Sequence, residues 1–229
     1  MSVSVEENLK HIKERMAAAC ARAGRDPKEV TLVAVSKTKP VSMMMEAYGT
    51  GIRDFGENKV QELLEKKPQM PEDTRLHLIG HLQTNKVSHV IDKTVLIHSV
   101  DSLHLAEKIE QEAAKRDLIS EILLEVNVAR EESKFGMFVE DVTKNLEIIS
   151  GFPHIRVKGL MTIAPNVENA EENRKFFKEL YQLYVDIKSK NIDNGTMSML
   201  SMGMTGDFEV AIEEGATLIR VGTGIFGSR

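Results

Sequence analysis

Eight short apolar runs recur along the chain with helical patterns between them, and this alternation restricts the fold more than any other feature. The runs are "TLVAVS" from Thr31, "GIRDFG" from Gly51, "LHLIG" from Leu76, "VLIHSV" from Val95, "EILLEVN" from Glu121, "VKGLMT" from Val157, "MSMLSMG" from Met197 and "TLIRVG" from Thr217. Most are short and apolar throughout, as suits a parallel sheet covered on its outer face. Between them, "SMMMEAYGT" and "NKVQELLEKK" read as helices, the second through Val60, Leu63 and Leu64. "SLHLAEKIEQEAAKR" aligns Leu103, Ala106, Ile109 and Ala113, and "ENRKFFKELYQLYVDIKSK" aligns Phe176, Leu180, Tyr184 and Ile187. "GDFEVAIEEGA" stops at Gly215, a C-cap residue type, and Thr84 to Ile91 carries a weaker helical pattern.

Strict βα alternation argues for a parallel sheet, and eight units argue for closure into a (β/α)8 TIM barrel. A doubly wound open sheet would normally carry a glycine-rich turn after its first strand. Here "KTKPVS" follows, without glycine. The last run is followed only by "TGIFGSR", too short for a full closing helix, and the helix expected from Val5 to Ala23 is available to cover that side. No linker or low-complexity stretch divides the chain, so residues 1–229 are expected to form one domain.

Bulk properties exclude several classes. Net charge is −5, from 30 basic and 35 acidic residues, and no basic stripe suggests a nucleic-acid surface. The N-terminal "MSVSVEENLKHIKERM" is charged throughout and no apolar run reaches membrane-spanning length, so a cytoplasmic protein is expected. The lone cysteine, Cys20, cannot form an internal disulfide and reads as a packed helix residue. His77 and His81 in "HLIGH" are four apart, but they fall on a strand and its loop with no third ligand nearby, so no metal is expected. The methionines of "MSMLSMGM" read as core filler.

Barrels of this kind build their sites at the carboxyl ends of the strands. In chain order those ends present Lys37, then Glu57 and Asn58, then His81 with Gln83 and Asn85, then Ser99 and Asp101, Asn127, and Met161 with Thr162. Ser201 with Gly203, and Gly222 with Thr223 and Gly224, complete the ring. "LSMGMTGD" and "RVGTGIFG" follow the seventh and eighth runs, the usual phosphate position, and their glycines and hydroxyls suit a phosphate dianion as well as they suit plain turns. Arg220 interrupts an apolar strand; parity leaves open whether it faces a carboxylate outside the barrel or a ligand within. A lysine desolvated at a barrel mouth can lose its proton and form a Schiff base with a carbonyl. Lys37 for an aldehyde, the last two loops for a phosphate and Arg220 for a ring nitrogen together fit pyridoxal 5′-phosphate. A phosphosugar-binding barrel with a Schiff-base lysine would present nearly the same residues.

The segments "LVAVSKTKP", "FGENKVQE", "HLIGHLQTNK", "IHSVDS", "EVNVAREESKFG", "GLMTIAP" and "LSMGMTGDFEVAIEEGATLIRVGTGIFG" closely resemble the pyridoxal phosphate homeostasis proteins, the YggS/PROSC family. The resemblance runs over nearly the whole chain. It implies a barrel like the N-terminal barrel of alanine racemases, with the Schiff base on Lys37. It implies phosphate contacts from Ser201, Gly222 and Thr223, with Arg220 at the pyridine nitrogen. It also places Asn58 and Met161 around the cofactor.

A positive arginine at the ring nitrogen opposes its protonation and so weakens the electron sink. Racemases of this fold also use a second base, commonly a tyrosine from another domain. Tyr48, Tyr181 and Tyr184 all fall on expected helices away from the mouth and read as packing residues. The expectation is therefore a carrier of pyridoxal phosphate without evident turnover, monomeric, with apo-enzymes as receivers. The alternative is weak racemase or transaldimination activity, for which His81 and Asp101 are the candidate acid–base groups.

Overall fold

The computed structural model describes residues 4–131, 133–190, 192 and 197–227. Its eight strands are β1 (Thr31–Val35), β2 (Asp54–Glu57), β3 (Arg75–Leu78), β4 (Leu96–Val100), β5 (Ser120–Glu125), β6 (Ile155–Met161), β7 (Met199–Ser201) and β8 (Leu218–Val221). All pairs are parallel and consecutive, and β1 pairs with β8 to close the barrel, with Val33 opposite Arg220. The helices are α1 (Val5–Arg22), α2 (Val41–Gly49), α3 (Val60–Lys66), α4 (Val87–Val90), α5 (Leu103–Ala114), α6 (Val139–Ile149), α7 (Arg174–Ser189), α8 (Phe208–Glu213) and α9 (Thr223–Phe226).

Period-two alternation divides the strands between two cores. Leu32, Ala34, Phe55, Leu76, Leu78, Ile97, Ile122, Leu124, Leu200 and Ile219 face outward into the continuous layer under the helices. The apolar interior is smaller: Val33, Leu96, Leu123, Met161 and Leu218, with Met199 packed against them. Asp54, His77, His98, Ser201 and Arg220 add buried polar side chains to the interior.

α1 begins at a capping box, with Ser4 accepting from the Glu7 amide and Glu7 reaching back to Ser4. Its buried stripe of Val5, Leu9, Ile12, Met16, Ala19 and Cys20 packs against α8 and α9. Asn8 Nδ2 donates to the Ile225 carbonyl at 2.9 Å, and Arg15 pairs with Glu209 at 2.7 Å. This is the extra N-terminal helix, and it covers the seam where α9 supplies a single turn. β2 starts at Asp54, three residues later than the run from Gly51 suggests. α6 is a full helix whose Val142, Leu146 and Ile149 are buried; its pattern in "VEDVTKNLEII" was not among the expected helices.

Candidate functional site

Lys37 leaves the end of β1 in a tight turn. The Lys39 amide donates to the Ser36 carbonyl at 3.0 Å, which makes Lys37 and Thr38 the central residues of a four-residue turn. Thr38 has φ +63°, the positive value that a type II turn requires at its third position and that a β-branched residue rarely adopts. The turn is held from below. The Thr38 amide donates to Glu62 Oε1 at 2.5 Å. Lys66 Nζ donates to the Ser36 carbonyl at 2.7 Å, Glu57 Oε1 at 2.8 Å and Glu62 Oε1 at 2.6 Å. Ser36 Oγ donates to Glu57 Oε1 at 2.6 Å. Glu57 thus faces outward to α3 and not into the mouth, and burial pushes its carboxyl up despite the bonds from Lys66 and Ser36.

Arg220 points into the barrel, which settles the choice that parity left open. It is buried, and donates through Nη1 to Ser201 Oγ at 2.5 Å and through Nη2 to the Thr162 carbonyl at 2.8 Å. A guanidinium has five N–H donors, so these two bonds leave three for a ligand. Burial lowers its pKa to about 10, with Glu125 and Asp207 opposing, so it stays charged at neutral pH. Ser201 lies wholly inside, its Oγ also 2.9 Å from His98 Nδ1.

The loops after β7 and β8 meet at the same mouth. The Gly224 amide donates to Thr205 Oγ1 at 3.2 Å, and the Arg220 amide to the Gly203 carbonyl at 3.0 Å. Gly203 has φ +90°, and a Cβ there would sit 2.6 Å from Ala211 Cβ. Gly222 and Gly224 are half-buried and Thr223 is exposed at the rim. Thr205 is a hydroxyl between these loops that reading the strand ends passed over, although it stands within "MTGD".

The other strand-end residues divide by role. Asn58 is half-buried where the β3 loop crosses it; a Cβ on Gly80 would lie 2.4 Å from the Asn58 carbonyl. Met161 is fully buried in the interior cluster. Ser99 donates to the Gly80 carbonyl, Thr162 to the Val126 carbonyl, and Asn127 to the Glu131 carbonyl, so these three brace loops. His81 Nδ1 lies 2.9 Å from Asp101 Oδ2, and its ring stacks on Phe135 with centroids 3.8 Å apart. His77 bonds elsewhere, inside the barrel, so the two histidines do not converge. Among the described residues no cluster of three His, Cys, Asp or Glu side chains is placed to hold a metal.

Glu125, at the end of β5, drew no attention in the sequence although a carboxylate inside "EILLEVN" is itself the signal. It is buried, and its carboxyl is pushed up to about 7 by burial and by Asp101, with Arg220 opposing.

Comparisons with known proteins agree with this fold. The family model for the alanine racemase N-terminal domain matches residues 7–229. A pyridoxal phosphate homeostasis protein of Aquifex aeolicus is 43% identical over 224 residues, 97% of both chains. One from Escherichia coli is 34% identical over 98% of this chain and 97% of its own. PipY of Synechococcus elongatus, solved with pyridoxal phosphate bound, is 35% identical with a TM-score of 0.82, over 94% of this chain and all of that one. An alanine racemase of Clostridium difficile, 12% identical with a TM-score of 0.75, shares the fold over 57% of its length. With its closed barrel, near full-length coverage and these identities, the chain belongs to the pyridoxal phosphate homeostasis proteins, within the alanine racemase N-terminal domain family.

Proposed function

We propose that this chain holds pyridoxal 5′-phosphate reversibly as a Schiff base on Lys37, limiting the free aldehyde without running a catalytic cycle. The observation that carries the reading is Arg220, buried inside the barrel with three N–H groups uncommitted. The residues present fit the group. Lys37 supplies an amine at the end of β1, Arg220 a cationic donor for the ring nitrogen, and Gly222, Thr223 and Thr205 amides and hydroxyls for the phosphate. Asn58 and Met161 would stand around the ring. When bound, the cofactor supplies an aldehyde for amines and an electron sink that is deepest with its ring nitrogen protonated.

The chain's own residues favour custody. Arg220 stays cationic and disfavours a proton on the ring nitrogen. Tyr48 bonds Asp73 on the outer surface and Tyr184 bonds the Met197 carbonyl, both away from the mouth. Ser201 Oγ accepts from Arg220 Nη1 and lies 2.9 Å from His98 Nδ1, so it is tied to both residues. The same reading makes the chain a cytoplasmic monomer with apo-enzymes as receivers. Among the described residues no helix is long and apolar enough to cross a membrane.

One observation favours a second reading. The Asp101 carboxylate orients the His81 imidazole at the mouth, an arrangement that suits a general base for weak racemisation or exchange of amino acids on the cofactor.

The test is the visible spectrum of the purified protein, repeated for Lys37→Ala with added cofactor. A band that borohydride fixes to the Lys37 peptide, absent from the variant, supports the reading. No band under saturating cofactor overturns it. Deuterium uptake at Cα of added amino acids, lost in His81→Ala, would favour the enzyme.

A further inference from the structure

A row of polar side chains crosses the barrel interior, and cofactor binding as described gives no role to its members Asp54, His77 and His98. Arg75 donates to both oxygens of Asp54, at 2.8 and 2.5 Å. Asp54 Oδ1 lies 3.0 Å from His77 Nε2, and His77 Nδ1 lies 3.0 Å from His98 Nε2. His98 Nδ1 reaches Ser201 Oγ, which in turn accepts from Arg220. The row therefore runs through the barrel from the N-terminal mouth to the candidate cofactor site. At its start is a cavity of about 610 Å3 whose lining includes Arg25, Asp54, Arg75, His77, Leu96 and Leu218.

With both imidazoles neutral, the two ends fix every proton between them. An arginine can only donate, and an ionised carboxylate can only accept. Asp54 is ionised: burial pushes its carboxyl up, but bonds from Arg75 and His77 outweigh this and hold it at about 2. One assignment of neutral rings then satisfies all the members. Ser201 donates to His98 Nδ1, His98 Nε2–H to His77 Nδ1, and His77 Nε2–H to Asp54. Burial, with His77 and Arg220 adding, keeps the His98 pKa well below its ordinary value, as a neutral ring requires. His77, His98, Ser201 and Arg220 are all buried, so a lost partner cannot readily be replaced by solvent.

We propose that Asp54, His77 and His98 are positioning residues for Arg220, turning the Ser201 lone pairs to the guanidinium and so aiming its remaining N–H groups at the pyridine nitrogen. This rests on the pyridoxal phosphate reading of the site. The three residues act through Ser201.

The first measurement needs no cofactor. Nitrogen NMR of histidine-labelled, cofactor-free protein, assigned with His77→Gln and His98→Gln, reads the tautomers directly. Both rings are expected neutral with the proton on Nε2 at pH 7. An Nδ1–H tautomer or a charged ring at either position overturns the proposal. The second measurement is release of bound pyridoxal phosphate. His98→Leu is expected to release it about tenfold faster, the equivalent of about one hydrogen bond to a charged group. His98→Gln, whose amide offers both an acceptor and a donor, should stay within about threefold of the parent. Release from folded His98→Leu at the parent rate overturns the proposal. If that variant does not fold, Asp54→Asn replaces it: an amide both donates and accepts, so the single assignment is lost. Release at least about threefold faster is then expected, and an unchanged rate overturns the proposal. A parent protein that takes up no cofactor refutes the functional reading, while the nitrogen spectrum still decides the proton order.

Discussion

Lys66 Nζ lies 2.8 Å from Glu57 Oε1 in a space between α3 and the end of β2 that water barely reaches. The pair holds the Lys37 turn through the Ser36 carbonyl and Glu62. Removing one member of a buried pair strands the other, at about 3–5 kcal/mol. Lys66→Met is expected to lose that much in urea denaturation. Lys66→Met combined with Glu57→Gln should recover part of it, because the stranded carboxylate is gone. A single variant as stable as the parent would show that the pair contributes nothing.

Glu125 makes stability depend on pH in an unusual direction. Its folded pKa is raised to about 7, so the folded state binds the proton more tightly than the unfolded chain. Its contribution is present below the ordinary carboxylate range and is lost as pH rises towards 7. The loss is about 3 kcal/mol between pH 5 and pH 8. Urea midpoints of the cofactor-free protein should fall over that interval, and Glu125→Gln should flatten the fall.

Gly80→Ala places a methyl 2.4 Å from the Asn58 carbonyl, against backbone that cannot yield cheaply. We expect about 2 kcal/mol of destabilisation and weaker cofactor retention, as the Asn58 segment is displaced. Gly49→Ala is the contrast. No atom lies within 4 Å of the added carbon, the position is helical, and a gain of up to about 1 kcal/mol is expected in the same denaturation assay.

Cys20 is fully buried in α1, and burial chiefly raises its thiol pKa. A disulfide reagent should therefore leave it unmodified in the native protein and titrate one thiol only after denaturation. Prompt labelling under native conditions would mean that α1 detaches readily from the barrel.

Most strands were legible because they are compact apolar runs, and the extra helix because its buried stripe repeats at helical spacing. The direction of Arg220 was not legible. Both faces of a barrel strand are buried, so period-two alternation loses its usual contrast. The row from Asp54 to Arg220 was hidden for a related reason. Its members stand on β2, β3, β4, β7 and β8, and only the closed register brings them together. Glu57 misled because it ends a strand; its parity with Phe55, which faces the outer core, would have turned it towards α3.

The closing seam has a consequence for synthesis. Lys37 follows β1 and Arg220 lies on β8, and these two strands become neighbours only when the barrel shuts, with α1 docked on α8 and α9. Loop closure over such a separation comes late and is slow. A chain still being translated can therefore display its lysine long before its arginine exists. The two groups proposed to grip opposite ends of the ligand first coexist once β8 has been made, so retained cofactor would report that the barrel has shut.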